Sequence, residues 1–270
     1  MIDLHIVSGI YFVTLTNPAT RNALNEKIMA GLEAALDAAS GDASSRAVVL
    51  RGSQGSFCSG GDFAQFKALM AEAKLEPDPI AKHNRNFGRL LEKMIGCDVP
   101  LLALVEGAAM GGGVGLAAAC DVVFATEDAK FAMPETTLGL PPAQIAPFVA
   151  LRIGTTAARR LMLTAARLTA SDALTVGLVD QVVDDGDALK VAALTWLNQL
   201  GCAEPRAIRA TKAILTRARH GSLAVTLDFA ADRFAAALRS GTAAEGIAAF
   251  SAKLPASWRV KITQWPDLPI

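Results

Sequence analysis

Three short segments carry residue types that could do chemistry. The first is Phe57-Cys58-Ser59-Gly60-Gly61-Asp62. Glycines let backbone approach a ligand closely and adopt positive φ. A helix capped at Asp62 would leave unpaired N–H donors beside them. Read alone, this segment is either a donor site for an oxyanion or phosphate, or an ordinary loop. The second is Glu106-Gly107-Ala108-Ala109-Met110-Gly111-Gly112-Gly113-Val114-Gly115. Glycines between a buried strand and a helix suggest an anion site at a helix N-terminus. Two nucleotide motifs fail here. The dinucleotide fingerprint started at Gly111 needs a glycine where Leu116 stands, and the phosphate loop needs a lysine after its last glycine. A rigid, uncharged donor for a developing oxyanion fits better. The third is Met133-Pro134-Glu135, where Glu135 is followed by an uncharged stretch up to Leu151. Apolar surroundings raise a carboxyl pKa, which suits proton transfer near neutral pH. The alternative is a glutamate that caps a helix or pairs with a lysine or arginine.

Other chemistries find less support. A nucleophilic Cys58 would want a histidine base, and His5, His83 and His220 lie near no matching motif. Cysteines 58, 97, 120 and 202 are widely spaced with no C-x-x-C pair. No metal site and no disulfide framework is therefore expected, and the cytoplasm is the expected compartment. Cys97, Cys120 and Cys202 read as small core or near-core residues. The 26 basic and 26 acidic residues cancel, leaving no bulk field for nucleic acid or an anionic membrane. The basic run over 206–219 is either a local cluster for an anionic ligand or, as is favoured, a solvated helix face. Residues 1–6 lack the pattern of a signal peptide. The longest uncharged stretches are broken by glycines or by Pro141, Pro142 and Pro147, so no spanning helix is expected.

The elements that must hold these segments follow from periodicity. Residues 4–7 and 10–16 read as a hairpin around Ser8-Gly9. Asn25 reads as a helix cap, with Ile28, Met29, Leu32, Ala35 and Leu36 at helical spacing behind it. Residues 47–50 form a short buried strand before the first glycine segment. Asp62 caps a helix carrying Phe63, Phe66, Leu69 and Met70. A mobile linker is expected around Pro77 and Pro79, then a helix over 82–95 with Phe87, Leu90, Leu91 and Met94 inward. The pattern repeats about fifty residues on: strand 101–105, a glycine turn over 107–115, a short alanine-rich helix, and strand 122–125. Two such units give an α/β arrangement whose loops can meet at one place. Beyond residue 143 the chain is mostly helical, with one late strand over 179–183 and helices over 205–219, 223–238 and 242–253. The tail after Pro255 is expected to be irregular.

The ordered set of motifs resembles the crotonase (enoyl-CoA hydratase/isomerase) family over almost the whole chain. The match runs through Asn17-Pro18, Asn22-Ala23-Leu24, the Phe57 to Asp62 segment, Gly107, Gly111-Gly112-Gly113, Cys120-Asp121, Pro134-Glu135, Leu138-Gly139 and Gly177-Leu178-Val179. The resemblance implies a spiral of ββα units over 1–203, a helical C-terminal region over 204–255, and a tail over 256–270. It implies a homotrimer or a pair of trimers, and a substrate that carries coenzyme A, with no further cofactor. It places the oxyanion-hole N–H groups at Ser59 and Gly112 and a catalytic carboxylate at Glu135. Ala23, Gly61, Asp62 and Phe63 would lie along the CoA nucleotide, and Phe250 and Lys253 match a C-terminal pair that touches CoA in relatives.

One departure bears on the reaction. Family hydratases commonly carry two catalytic glutamates, and the first falls here on Gly115. One carboxylate still fits two reactions. It can carry a proton between the γ- and α-carbons of an enoyl thioester, moving the double bond, or it can act alone in hydration. A second departure is Ile145-Ala146, where many relatives have a glycine pair. The stretch Leu138-Gly139-Leu140-Pro141-Pro142-Ala143-Gln144-Ile145-Ala146-Pro147-Phe148 is similar to the branched glutaconyl-CoA hydratases, particularly the isohexenylglutaconyl-CoA type. That similarity favours hydration, with isomerisation as the second reading and a CoA-binding family member that has lost catalysis through Gly115 as the third.

Overall fold

A computed structural model describes residues 1–71, 79–219 and 221–268. Strands β1 (Ile2–Val7) and β2 (Ile10–Leu15) form the expected hairpin. Helix α1 (Glu26–Gly41) starts at Asn25, whose Oδ1 accepts the Ile28 N–H at 3.0 Å. Then follow β3 (Ala47–Gly52), α2 (Phe63–Ala71), α3 (Pro79–Gly96), β4 (Leu101–Val105), β5 (Ala108–Met110) and α4 (Gly112–Ala119). Next come β6 (Val122–Thr126), β7 (Lys130–Ala132) and a 3-10 turn (Pro134–Leu138) that holds Glu135. Helices α5 (Ala146–Ile153) and α6 (Thr155–Thr164), β8 (Arg167–Thr169), α7 (Ala170–Thr175), β9 (Gln181–Val183) and α8 (Gly186–Gly201) complete the core. Helices α9 (Pro205–Ala218), α10 (Leu223–Arg239) and α11 (Thr242–Ala252) end the regular structure.

The chain thus has a mixed α/β fold of ββα units followed by helices. One sheet has six strands in the order β1-β2-β3-β4-β6-β9, all parallel beyond the first hairpin. Parallel strands are covered on both faces, so they read as continuous apolar runs. Val13, Leu15, Val48, Leu50 and Ala103 point to a core under α1, α3 and α4. Ile10, Phe12, Val49, Leu102 and Leu104 point the other way, under Leu189, Ala193 and Leu197 of α8. A second, small sheet has the order β5-β7-β8. Cys58 extends it through a parallel bridge to Ala109.

Several expectations need correction. Residues 107–115 are not one turn: β5 occupies their middle, and Gly115 lies inside α4. Three glycines make a poor helix, but residues 113–119 are all buried, so packing overrides propensity. Strands β5, β7 and β8 were not expected, since three residues give too little alternation to read. Pro79 opens α3 rather than lying in a linker, while Pro77 and His220 fall outside the described residues. Cys202 is exposed at the end of α8, not near the core. The run 206–219 is not merely a solvated face. Arg209 reaches Asp98 at 3.0 Å and the Asp42 carbonyl at 2.6 Å, and Lys212 is buried against the Val99 carbonyl and Asp121. The tail has no regular element among its described residues, yet it is docked. Ile262 is buried, and Trp265 meets Phe12 edge to face at 4.9 Å. No described helix is long and apolar enough to cross a membrane.

Candidate active site

The small sheet brings the three candidate segments together. Cys58, β5 and β7 run parallel and adjacent. Gly61 follows Cys58 by three residues, Gly112 follows Met110 by two, and Glu135 follows Ala132 by three. All three therefore leave the same edge of the sheet, from neighbours about 4.8 Å apart. Ligands of parallel α/β sheets bind at the carboxyl ends of strands for this reason. Backbone hydrogen bonds fix the spacing. The Cys58 N–H donates to the Ala108 carbonyl, the Met110 N–H to the Cys58 carbonyl, and the Gly111 N–H to the Ala132 carbonyl, all at 2.8–2.9 Å.

The donors at this edge differ from those expected. Ser59 is not a free donor: its N–H is bound to the Arg21 carbonyl at 3.0 Å, and its hydroxyl donates to the Thr20 carbonyl at 2.6 Å. Among the described residues the Gly61 N–H has no acceptor, although both its neighbours are engaged. The Gly60 carbonyl accepts from the Leu24 N–H, and the Asp62 N–H donates to the Leu24 carbonyl. Gly112 is the first residue of α4, where an N–H has no intrahelical partner. Gly61 and Gly112 are both accessible, whereas Gly113 and Val114, next in α4, are buried. The close approach of the two loops needs glycine at 60. Its φ is +99°, and a Cβ there would lie 3.0 Å from the Met110 carbonyl oxygen.

The Gly61 loop is held from behind. Asn22 is fully buried at a positive φ of 60°, a conformation asparagine tolerates better than most residues. Its Oδ1 accepts from the Asn17 N–H, and its Nδ2 donates to the Ser53 and Ser56 carbonyls. The role of Asn22 as a brace was missed, because a lone Asn-Ala-Leu carries no spacing signal. Ala23 is buried beside this brace. Asp62 caps α2 by accepting the Ala64 N–H at 2.9 Å, and Phe63 is the first residue of that helix. Phe250 and Lys253 are not brought to the site within one chain. They lie at the end of α11, which packs on α10, and Phe250 is 86% exposed.

Glu135 faces the donors. A Cβ built on Gly111 would lie 2.7 Å from Glu135 Oε1, so the carboxyl rests against the residue next to Gly112. Glu135 Oε2 is buried without a hydrogen-bond partner. Burial raises the pKa of Glu135, and its own backbone N–H offsets this only in part. Among the described residues no cation pairs with it and no backbone N–H is capped by it, which disfavours the helix-cap and ion-pair alternatives. Cys58 is fully buried, and burial pushes its thiol up to about 12, which makes it inert as a nucleophile at neutral pH. Gly115 sits where a second carboxylate was in question. A Cβ there would meet Ile145 Cγ2 at 2.5 Å and Leu91 Cδ1 at 3.5 Å. The space is filled by hydrocarbon, so among the described residues the site holds one carboxyl, Glu135, near two N–H groups without an acceptor, Gly61 and Gly112.

Residues 5–261 match the family described as enoyl-CoA hydratase/isomerase. A probable enoyl-CoA hydratase of Rhizobium meliloti (strain 1021) is 34% identical over 255 residues, covering 92% of this chain and 93% of that protein. The peroxisomal Delta(3,5)-Delta(2,4)-dienoyl-CoA isomerase of Arabidopsis thaliana is 28% identical over 252 residues, covering 90% of each. Among solved structures, Pseudomonas aeruginosa AtuE superposes with a TM-score of 0.92 at 44% identity, covering 96% of this chain and 99% of that one.

Proposed function

Since the chain belongs to the enoyl-CoA hydratase/isomerase family, we propose that it hydrates a branched 2-enoyl-CoA with Glu135 as its single acid and base. The observation that carries this reading is the Glu135 carboxyl against Gly111, its Oε2 buried without a partner, near the Gly112 N–H. The thioester oxygen accepts from the Gly61 and Gly112 N–H groups, so Gly61 replaces Ser59 in the donor pair. The positive end of α4 adds to the field at Gly112. Glu135 takes a proton from water as the water oxygen bonds to C3. The C2–C3 π electrons move toward the thioester carbonyl, whose oxygen gains negative charge between the two donors. The enolate then collapses, and C2 takes the proton from the Glu135 carboxylic acid. One water is added, and Glu135 ends as it began.

The raised pKa of Glu135 suits both steps, since the group must accept and return a proton near neutral pH. Ala23, Gly61, Asp62 and Phe63 are proposed to lie along the CoA nucleotide. Phe250 and Lys253 are proposed to meet it from a neighbouring copy, in a homotrimer or a pair of trimers. A second reading is favoured by the hydrocarbon over Gly115. With no second carboxyl, Glu135 would instead move a proton between C2 and C4 of an enoyl thioester. The test is a panel of branched 2-enoyl-CoAs and 3-enoyl-CoAs, with product masses recorded. Gain of 18 Da on a 2-enoyl ester supports hydration. Isomerisation of 3-enoyl esters without any hydration selects the second reading. Glu135→Gln is expected to lower kcat by about 100- to 10,000-fold in either case.

A further inference from the structure

One more built feature borders the site. Gly88 is buried in the interior of α3, where glycine is a poor helix residue. A Cβ built on it would overlap Gln144 Oε1 and lie 2.9 Å from Gln144 Cδ. The amide of Gln144 therefore rests on the α3 backbone, in the space that a side chain at 88 would take. Its Nε2 donates to Asn84 Oδ1 at 2.8 Å, one turn earlier on the same helix. Gln144 directly precedes Ile145, which covers Gly115. Phe87 borders Gly112, and Leu91 borders Gly115. The site thus has two walls, α3 and the segment from Glu135 to Ile145, and Gln144 ties one to the other at an exposed rim.

We infer that Gln144 is a specificity-determining residue, a clasp across Gly88 that bounds the acyl end of the site and limits the length of the acyl group. The inference rests on the proposed CoA-thioester reading. With the carbonyl held at Gly61 and Gly112, the acyl chain runs over Phe87, which is partly exposed beside Gly112, while Leu91 and Ile145 are buried and back the wall from behind. Beyond that surface it meets the Gln144–Asn84 amide pair. A longer hydrocarbon must push the Gln144 amide off α3, exchanging its bond to Asn84 for water, or else lie against this polar rim, and either disfavours it. Arg85 adds to the polar rim, with Nη1 3.0 Å from the Gly88 Cβ position and Nη2 held by Glu92.

The test is calorimetric titration of saturated acyl-CoAs from butanoyl to dodecanoyl into the full chain. In the wild type, Kd is expected to stop improving at a defined chain length. Gln144→Ala is expected to move that break outward and to tighten the longest esters relative to butanoyl-CoA by about tenfold, the scale of one or more added methylenes. Gly88→Ala is expected to do the same by driving the amide off α3. Gln144→Glu, which can still accept from the Asn84 amide, is expected to keep the wild-type break. A purely structural role would weaken all esters alike. An unmoved break in Gln144→Ala overturns the inference, and this exposed-rim variant carries the test if Gly88→Ala does not fold. Turnover is not the readout. Absence of hydration would remove the proposed reaction and leave the clasp standing, whereas absence of any acyl-CoA binding would overturn both.

Discussion

A carboxyl whose pKa is raised by burial has a pH signature. In the proposed reaction Glu135 must be ionised to take the first proton, so kcat/KM is expected to climb with pH along a limb lying above the ordinary glutamate value of 4.5. Glu135→Gln should erase that limb, and a limb that survives in the variant removes Glu135 as the base. Stability carries the opposite sign. A folded pKa above the unfolded one means that stability is fully present below the unfolded pKa and is lost as pH rises through the folded pKa. Above that range Glu135→Gln should therefore melt higher than the wild type, in thermal scans run at matched pH. Gly111 offers a second check. Its φ is +49°, and a Cβ there would press on Glu135 Oε1. Gly111→Ala should lower kcat by about 100-fold, the scale on which misplaced catalytic groups act. At this scale the sequence singled out Glu135, Gly112 and Ser59, and the structure brings their segments together but finds the Ser59 N–H already engaged. Ser59 and Gly61 both sit in a glycine loop, and only the acceptor at Arg21 separates them. That acceptor is a backbone carbonyl, which no residue type encodes.

The elements differ in how well their sequences announce them. The hairpin, α1 and the long strands β3 and β4 were legible because each has a full period of buried residues and a turn or cap signal. The small sheet was not, because each of its strands has only three residues, too few to show alternation, and β5 lies among glycines and alanines. Yet this sheet sets the spacing of Gly61, Gly112 and Glu135. Helix α9 shows the reverse problem. Its helical character was plain, but Arg209 and Lys212 face inward, and long cationic side chains read as surface unless their partners are known. Asp121 accepts from both Lys212 and the Leu101 N–H, so one carboxylate joins α9 to the start of β4. Lys212→Met is expected to cost about 2 kcal/mol, less than a wholly buried pair because Asp121 is partly exposed. Denaturant melts would register this as a lower midpoint at unchanged slope. A midpoint equal to the wild type would show that the contact adds nothing.

At the scale of the molecule, α10 and α11 present apolar side chains to solvent in one copy. Leu227, Phe234, Ile247 and Phe250 are all more than half exposed. Exposed apolar surface of this extent fits the proposed contact between chains. The chain is expected to run as an oligomer by light scattering, and Leu227→Glu with Phe234→Glu should reduce the mass toward that of one chain. A monomeric wild type would contradict the proposed contact of Phe250 with a neighbouring CoA site. The far side of the six-stranded sheet has its own closure. Trp265 lies on Phe12, Trp196 joins the same cluster from α8, and the Trp258 carbonyl accepts from Arg46 just before β3. These are the three tryptophans of the chain. Its intrinsic fluorescence is thus a gauge of how the tail and outer layer sit, set apart from the chemistry at Glu135. An emission change on adding an acyl-CoA would report a message carried through the sheet, while a silent titration would mean that ligand and tail keep separate accounts.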